Sequence, residues 1–229
     1  MADILSDRAA RDAVLGSVRA ALGRTAPDAE RRAAALAYIA AHAQGPRPAM
    51  PADLVARFVE RATDMASTVE RIATLADVPR AVARYLDALD LPPTLAMQKS
   101  KSGVCWPAFA GLDWAAHGLA IEGRPTLGHD RLGITGSFCA IAETGTLVVL
   151  AGADSPTATA LLVDTHVAVV RAERIVSGME EAFALIRRER GPLPRAVNFI
   201  SGPSRTGDIE QTIVLGAHGP FRVHILVQG

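Results

Sequence analysis

The 229 residues include 24 basic and 24 acidic side chains, so the formal net charge is zero, and 49% of the residues are hydrophobic. The balanced charge argues against nucleic acid or an anionic membrane surface as the main partner, because both select basic faces. The length and the apolar content fit one large domain, or a helical piece attached to an α/β domain.

The first ninety residues are predicted to be mostly helical. Ser6 is a good N-cap for a first helix that Gly23 can end. The other predicted helices span about Asp28 to Ala43, Leu54 to Ile72, and Val78 to Leu89, with Pro92 and Pro93 as a stop. We therefore expect a helical N-terminal region over 1–90 and an α/β domain over 91–229.

After residue 93, short apolar runs separated by turn residues dominate the sequence. These predicted strands are Leu95–Met97, Leu119–Ile121, Thr146–Leu150, Val167–Val170, Val197–Ile200 and Val223–Val227. Several are continuous rather than alternating, which is typical of strands buried on both faces of a parallel sheet. A helix over Gly178 to Arg190, capped by Ser177, lies among them. The pattern predicts a layered α/β domain.

Two features bear on the compartment and on redox chemistry. The start of the chain has no apolar run typical of a secretion signal, and no run reaches membrane-spanning length. We expect a soluble, cytoplasmic protein without a membrane span. The two cysteines, Cys105 and Cys139, lack CxxC spacing and cannot supply four thiolates, so we expect buried reduced thiols and no iron–sulfur cluster on this chain.

Common catalytic signatures are missing from the sequence. It contains no GxGxxG after a strand, no GxxxxGK[ST], no HExxH and no GxSxG. A Rossmann dehydrogenase or a P-loop NTPase is therefore disfavoured.

The run from Ser201 to Glu210 follows a predicted strand, at the kind of position where α/β sheets bind ligands. Gly202 permits a close backbone approach, and Arg205 offers a planar fork suited to carboxylate or phosphate. Ser204 and Thr206 offer hydroxyl groups. A helix beginning near Asp208 would add N–H groups for an anion. The alternative is a capped helix start in which Arg205 pairs with Asp208 or Glu210.

Glu143 lies between a buried apolar run and the hydroxyl residues Thr144 and Thr146. A carboxylate so close to a buried strand is costly unless it is bonded or paired. It can serve structure alone, or act as a base or nucleophile at the strand end.

His218 lies on a tight turn before Pro220, where it can contact a ligand, cap a carbonyl or bind a metal. Asp164, His166 and His224 could join it in a metal cluster, but their spacing is nonspecific. We therefore assign no metal site.

Three polar runs together resemble the LUD domain of the lactate-utilisation protein C (LutC/YkgG) family. They are Ala142 to Thr146, Ser201 to Glu210, and His218 to Pro220, and their order and intervals agree with that family. The family resemblance also includes a strand and the segment after it, Val167 to Val170 and Arg174-Ile175-Val176. Gly207 stands where the family pattern has alanine, and Val163 where it has proline; neither removes a polar group.

The resemblance implies a fold similar to the NagB/RpiA/CoA-transferase group, with a mostly parallel layered sheet. It implies a role in oxidising L-lactate to pyruvate together with iron–sulfur partner proteins, and it supplies no established catalytic role or cofactor for this subunit. From the motif positions we expect Glu143 as a catalytic residue and a set of residues that bind a small carboxylate or phosphate-bearing ligand. That set is Thr144, Gly145, Thr146, Gly202, Ser204, Arg205, Thr206, Asp208 and His218.

Two other functions remain open. The chain can be an independent transferase or ligase for acyl or phosphoryl groups, with Glu143 as nucleophile or base, since fold similarity does not transfer activity. It can also be a scaffold whose polar motifs are structural and whose helical half docks partner subunits.

Overall fold

The computed structural model describes residues 2–23, 28–89, 101–209 and 212–229. The chain divides into two compact units, Met1–Pro48 and Ala49–Gly229. The predicted strand Leu95–Met97, the stop at Pro92 and Pro93, and Glu210 lie outside the described residues.

The first unit contains two helices, α1 (Ala2–Ala21) and α2 (Ala29–Ala41). Helix α1 begins at Ala2, so Ser6 lies inside the helix and is not its cap. Asp28 caps α2 by accepting a hydrogen bond from the Arg31 amide at 3.0 Å. Among the described residues, no helix is both long and apolar enough to cross a membrane.

The second unit begins with α3 (Leu54–Asp64), β1 (Thr68–Ile72) and α4 (Val78–Ala88). The predicted helix from Leu54 to Ile72 is therefore wrong in its last part, because β1 follows after a short turn. Val69 and Ile72 continue the apolar spacing of α3, but they lie in a strand that pairs with the C-terminal strand of the chain. Sheet pairing here prevails over local periodicity.

A six-stranded sheet, parallel throughout, forms the centre of this unit, in the order β1-β12-β7-β4-β2-β3. The predicted α/β class with a mostly parallel sheet is thus confirmed. The strands that follow β1 are β2 (Ser102–Cys105), β3 (Ala120–Glu122), β4 (Leu132–Gly136), β7 (Thr165–Arg171) and β12 (Arg222–Gln228). Val167 to Val170 and Val223 to Val227 are fully buried in it, as continuous apolar strands require.

A second, four-stranded sheet has the order β8-β5-β6-β9 and mixed directions. Its strands are β5 (Cys139–Ile141), β6 (Thr146–Leu150), β8 (Ile175–Val176) and β9 (Val197–Ile200). The apolar runs at 146–150 and 197–200 are therefore antiparallel partners, not members of the parallel sheet. β6 is buried on both faces, whereas β9 is only partly buried, yet both are continuous apolar runs, so periodicity cannot assign either to a sheet.

The segment that was predicted to begin a helix near Asp208 is a strand instead. β10 (Arg205–Ile209) and β11 (Thr212–Leu215) form a two-stranded antiparallel ribbon. Five residues of this ribbon are β-branched, which favours the extended backbone: Thr206, Ile209, Thr212, Ile213 and Val214.

Two helices complete the described unit, α5 (Ala158–Leu161) and α6 (Met179–Arg190). Helix α6 agrees with the predicted helix, but its cap is Gly178 and not Ser177. The Glu181 carboxylate accepts from the Gly178 amide at 3.0 Å, which satisfies a donor at the helix start.

The loop between β3 and β4 is held by the carboxylate of Asp130, whose side chain is only 8% exposed. It accepts two hydrogen bonds from the Arg124 guanidinium, at 3.0 and 2.8 Å, one from the Thr126 hydroxyl at 2.8 Å and one from the Leu127 amide at 3.1 Å. The Arg124 hydrogen bonds, followed by those from Thr126 and Leu127, lower the pKa of Asp130 to about 2.

Replacing this carboxylate with a neutral amide should weaken the loop. We expect Asp130→Asn to lower the free energy of unfolding by about 2 kcal/mol, because charge-assisted hydrogen bonds are lost around a buried group. Urea unfolding at pH 7 measures the change. Asp154→Asn, at an exposed position, is the matched control and should change stability by less than about 0.5 kcal/mol. Equal effects of the two substitutions would contradict the role given to Asp130.

Two buried histidines make stability depend on pH. His166 and His224 are 0% and 3% exposed, and burial lowers the pKa of each imidazole to about 4 from 6.5. The unfolded chain therefore binds more protons between these values. We expect the free energy of unfolding to be constant above about pH 6.5 and to fall as the pH decreases towards 4, by about 3 kcal/mol per histidine.

Urea titrations at several pH values between 4 and 8 test this dependence. His166→Gln should reduce the slope, whereas His42→Gln, at an exposed position, should leave it unchanged. A flat profile between pH 6.5 and 4 would show that the two imidazoles do not stay neutral in the fold.

Candidate functional site

The turn between β5 and β6 brings Glu143 to Thr146 against the end of α3. Gly145 has φ +67°, and its amide donates to the Ile141 carbonyl at 3.0 Å. A Cβ at Gly145 would lie 2.3 Å from the Ala62 nitrogen, which is closer than real Cβ contacts. The missing side chain therefore lets the turn pack directly on the α3 backbone.

Helix α3 ends in a Schellman arrangement with an alanine in the left-handed conformation. Ala66 has φ +63°; its amide donates to Thr63 at 2.8 Å, and the Ser67 amide donates to Ala62 at 3.0 Å. Glycine usually occupies this position, because a Cβ costs about 1–2 kcal/mol there. The turn reverses the chain immediately after Met65.

The Met65 carbonyl is the point where the segment after β9 meets α3. A Cβ at Gly202, whose φ is +78°, would lie 2.0 Å from the Met65 oxygen. Arg205 Nη2 donates to the same oxygen at 3.2 Å. Two predicted ligand-binding residues thus share one backbone contact on α3.

Three hydroxyl groups form a chain between the two loops. Thr144 Oγ1 and Thr146 Oγ1 are 2.6 Å apart, and Thr146 Oγ1 and Ser201 Oγ are also 2.6 Å apart. Thr144 and Ser201 are exposed, whereas Thr146 is 4% exposed. The central hydroxyl, that of Thr146, is therefore buried, and the two outer hydroxyl groups belong to exposed residues.

Ser204 links the same segment to the turn that contains His218. Its amide donates to the Pro220 carbonyl at 2.9 Å, its carbonyl accepts from Gly216 at 2.9 Å, and its hydroxyl accepts from the His218 amide at 3.3 Å. A chain of contacts thus connects the β5–β6 turn, the end of α3, the segment 201–205 and the turn 216–220. Because Leu161 and Asp164 before β7 contact Gly219 and Arg222, these loops border the amino-terminal edge of the parallel sheet.

The other predicted site residues have the following positions. Thr206 lies in β10, is 7% exposed and already interacts with another residue. Asp208 is also in β10, but its side chain lies outside the described part of the structure. Glu143 is half-buried, its amide donates to the Ser177 carbonyl at 3.0 Å, and its carboxylate makes no hydrogen bond or ion pair with the described residues.

Of the histidines considered for a metal, His218 lies on these loops, whereas His166 and His224 lie in strands β7 and β12. His166 Nε2 is hydrogen-bonded to Thr135 Oγ1 at 2.8 Å, and Asp164 pairs with Arg131 at 2.6 Å. Over the described ranges, no group of three or more His, Cys, Asp or Glu side chains is arranged to hold a metal ion.

Sequence reasoning missed the contribution of α3 to this site. The Met65 carbonyl and the backbone of Ala62 are main-chain groups, which leave no signature in a sequence. Ser201 lies within the polar run 201–210, but it is not among the residues that the sequence predicts to bind a ligand.

The hydrogen-bond donors gathered here are of the kind that bind small anions. Arg205 is exposed, and to the described residues its guanidinium makes one hydrogen bond, to Met65. A guanidinium carries five N–H donors, a set that can bind a carboxylate or phosphate through two parallel hydrogen bonds. The exposed hydroxyl groups of Thr144 and Ser201 offer further donors nearby along the chain of contacts.

The profile of the LUD domain family matches residues 55–227. Lactate utilization protein C of Deinococcus radiodurans is 31% identical over 194 residues, which cover 80% of this chain and 84% of that protein. Lactate utilization protein C of Bacillus subtilis is 38% identical over 100 residues, 42% of each chain. That of Bacillus licheniformis is 34% identical over 99 residues, so the alignment spans only 41% of that relative.

One solved structure is also similar. A DUF162 family protein from Deinococcus radiodurans superposes with a TM-score of 0.56 at 25% identity, covering 80% of this chain and all of that one.

The close contact at Gly202 can be tested against a glycine with a similar positive φ. Gly191 has φ +71° with nothing within 4 Å of an added Cβ, whereas Gly202 has φ +78° and meets Met65. Gly191→Ala therefore introduces backbone strain alone, and Gly202→Ala adds a clash. We expect Gly202→Ala to lower the free energy of unfolding by about 2 kcal/mol more than Gly191→Ala.

Urea unfolding of both variants gives the difference directly. Equal losses would mean that the segment 201–205 does not depend on its approach to α3.

Proposed function

The chain belongs to the LUD domain family, and we propose that it is a subunit of a lactate-utilisation system that oxidises L-lactate to pyruvate with iron–sulfur partner proteins. The named relatives support this, because lactate utilization protein C of Deinococcus radiodurans aligns over 84% of its length. In this proposal the loops around Arg205 bind a small anionic ligand.

Lactate oxidation releases two electrons, which a redox group must accept. The chain has two cysteines, both buried, and burial raises the pKa of each thiol to about 11. Protonated, buried thiols are poor metal ligands, because the thiolate is the binding form. This supports a division of labour in which clusters lie on partner proteins and this chain binds and orients a ligand.

The ligand-binding part of the proposal rests on the contacts that Gly202 and Arg205 both make with the Met65 carbonyl. Arg205 is held at one nitrogen by that carbonyl, which limits the motion of its side chain. An arginine fixed in this way loses less conformational entropy when it binds a carboxylate than a free one does. The Thr144–Thr146–Ser201 chain supplies hydroxyl groups that can bond the same anion or its hydroxyl substituent.

One observation favours the transferase alternative for Glu143. Glu143 is half-buried beside Gly145, and its carboxylate makes no hydrogen bond or ion pair with the described residues. A carboxylate in such a position is available as a nucleophile or base. An acyl-CoA donor that left an adduct on Glu143 would support that function over the first.

Arg205→Ala should weaken binding of the preferred anion by about 10- to 100-fold, the value expected for one charge-assisted contact. Isothermal titration calorimetry with L-lactate and pyruvate measures the change. Arg205→Lys keeps the charge but not the planar fork, so its affinity should lie between those of the alanine variant and the unmodified protein.

Arg188→Ala is the matched control, since the Arg188 side chain is 70% exposed on α6. It should bind as the unmodified protein does. Unchanged binding by Arg205→Ala would remove Arg205 from the site. In the source cells, unimpaired growth on lactate after deletion of this chain would contradict the lactate-utilisation role itself.

A further inference from the structure

A second group of reactive side chains lies at the start of β1, on the edge strand of the parallel sheet. Thr68 is exposed and is paired in register with His224 of β12. Thr68 Oγ1 lies 2.8 Å from His224 Nδ1. A hydroxyl at the surface is therefore hydrogen-bonded to a buried imidazole.

The imidazole of His224 is fixed on several sides. The residue is 3% exposed, and its ring stacks on Tyr85 of α4 with centroids 4.0 Å apart and planes 8° apart. Its Nε2 is buried and makes no hydrogen bond with the described residues. The nearest carboxylate is that of Glu70, with Oε2 at 4.0 Å from Nε2.

Glu70 is itself positioned by an ion pair with Arg84 of α4. Thr68 and Glu70 lie two apart on β1, so both side chains project to the same face of the sheet, where His224 lies. With a proton on Nε2, the ring directs that proton towards Glu70 and leaves Nδ1 to accept the Thr68 proton.

A hydroxyl, an imidazole and a carboxylate in this order are the parts of an activated nucleophile. Burial lowers the pKa of His224 to about 4, so the ring is neutral at pH 7 and its unprotonated nitrogen can accept the hydrogen bond from Thr68, but it is a weak base.

We propose that Thr68 is a nucleophile towards acyl esters, with His224 as its general base and Glu70 as a positioning residue. The Thr68 oxygen attacks the acyl carbon and its proton passes to His224 Nδ1. The bond to the leaving alcohol then breaks, and the alcohol takes that proton. Water attacks the acyl-threonine in the same way, releasing a carboxylic acid and restoring the Thr68 hydroxyl. The inference is independent of the function proposed for the Arg205 loops.

The test uses the full chain and p-nitrophenyl acetate as the acyl donor. Release of p-nitrophenolate gives the rate, and peptide mapping by mass spectrometry locates the acetyl group. We expect acetylation of the unmodified protein on Thr68. Thr68→Val should abolish it, Thr68→Ser should retain it, and His224→Gln should slow it about 10-fold or more, because a base with so low a pKa contributes less than one with a pKa near 7.

Two surface variants serve as matched controls. Thr63→Val removes an exposed hydroxyl that bonds only within α3, and His42→Gln removes an exposed imidazole. Both should react at the rate of the unmodified protein. Near-ultraviolet circular dichroism of each variant establishes that it is folded.

Glu70→Gln supplies the second measurement if His224→Gln does not fold. It should slow acetylation while Thr68 remains the labelled residue, and Glu70→Asp should recover part of the rate. Acetylation elsewhere, including on Glu143, or no acetylation at all, would overturn the proposal. So would an unchanged rate in folded His224→Gln, or in Glu70→Gln where the histidine variant does not fold.

Discussion

The architecture of the candidate site depends on two places where backbone touches backbone without a side chain between them. Gly145 lies against the Ala62 backbone and Gly202 against the Met65 carbonyl, both at contacts that a Cβ would forbid. These approaches dock two separate loops on the end of α3, which itself turns on a left-handed Ala66. The polar side chains follow from this frame, because Thr144, Thr146, Ser201 and Arg205 are all carried on the docked segments.

Much of the fold could be predicted, because strands buried on both faces appear in the sequence as uninterrupted apolar runs. The strands around Val167 and Val223 are uninterrupted apolar runs, and a parallel sheet covered on both faces is what such runs form. An apolar pattern does not decide the structure where a helix and a strand, or two different sheets, would produce the same pattern. Val69 and Ile72 fit a helical stripe as well as a strand, and Leu147 to Leu150 fit either sheet. Only partners distant in the chain decide these cases.

The polar residues of the candidate site could be identified from the sequence, but the backbone contacts that bring them together could not. Arg205, Gly202 and the hydroxyl residues stood out because such side chains are unusual beside buried strands. The ribbon that carries Arg205 was missed, because Asp208 favours the start of a helix, whereas pairing with β11 keeps this segment extended. Met65 acts through its carbonyl, and Thr68 and His224 are 156 positions apart. Their meeting is set by sheet topology, which no local pattern reveals.

The ribbon formed by β10 and β11 begins and finishes at one place. Ser204 binds Pro220 and Gly216, so the excursion from residue 204 to residue 220 leaves the body of the protein and returns to the same anchor. Lengthening or shortening its far end leaves that anchor unchanged, and the entropic cost of a longer closed loop grows only slowly. The length of this ribbon can therefore change without disturbing the segments that Ser204 holds together.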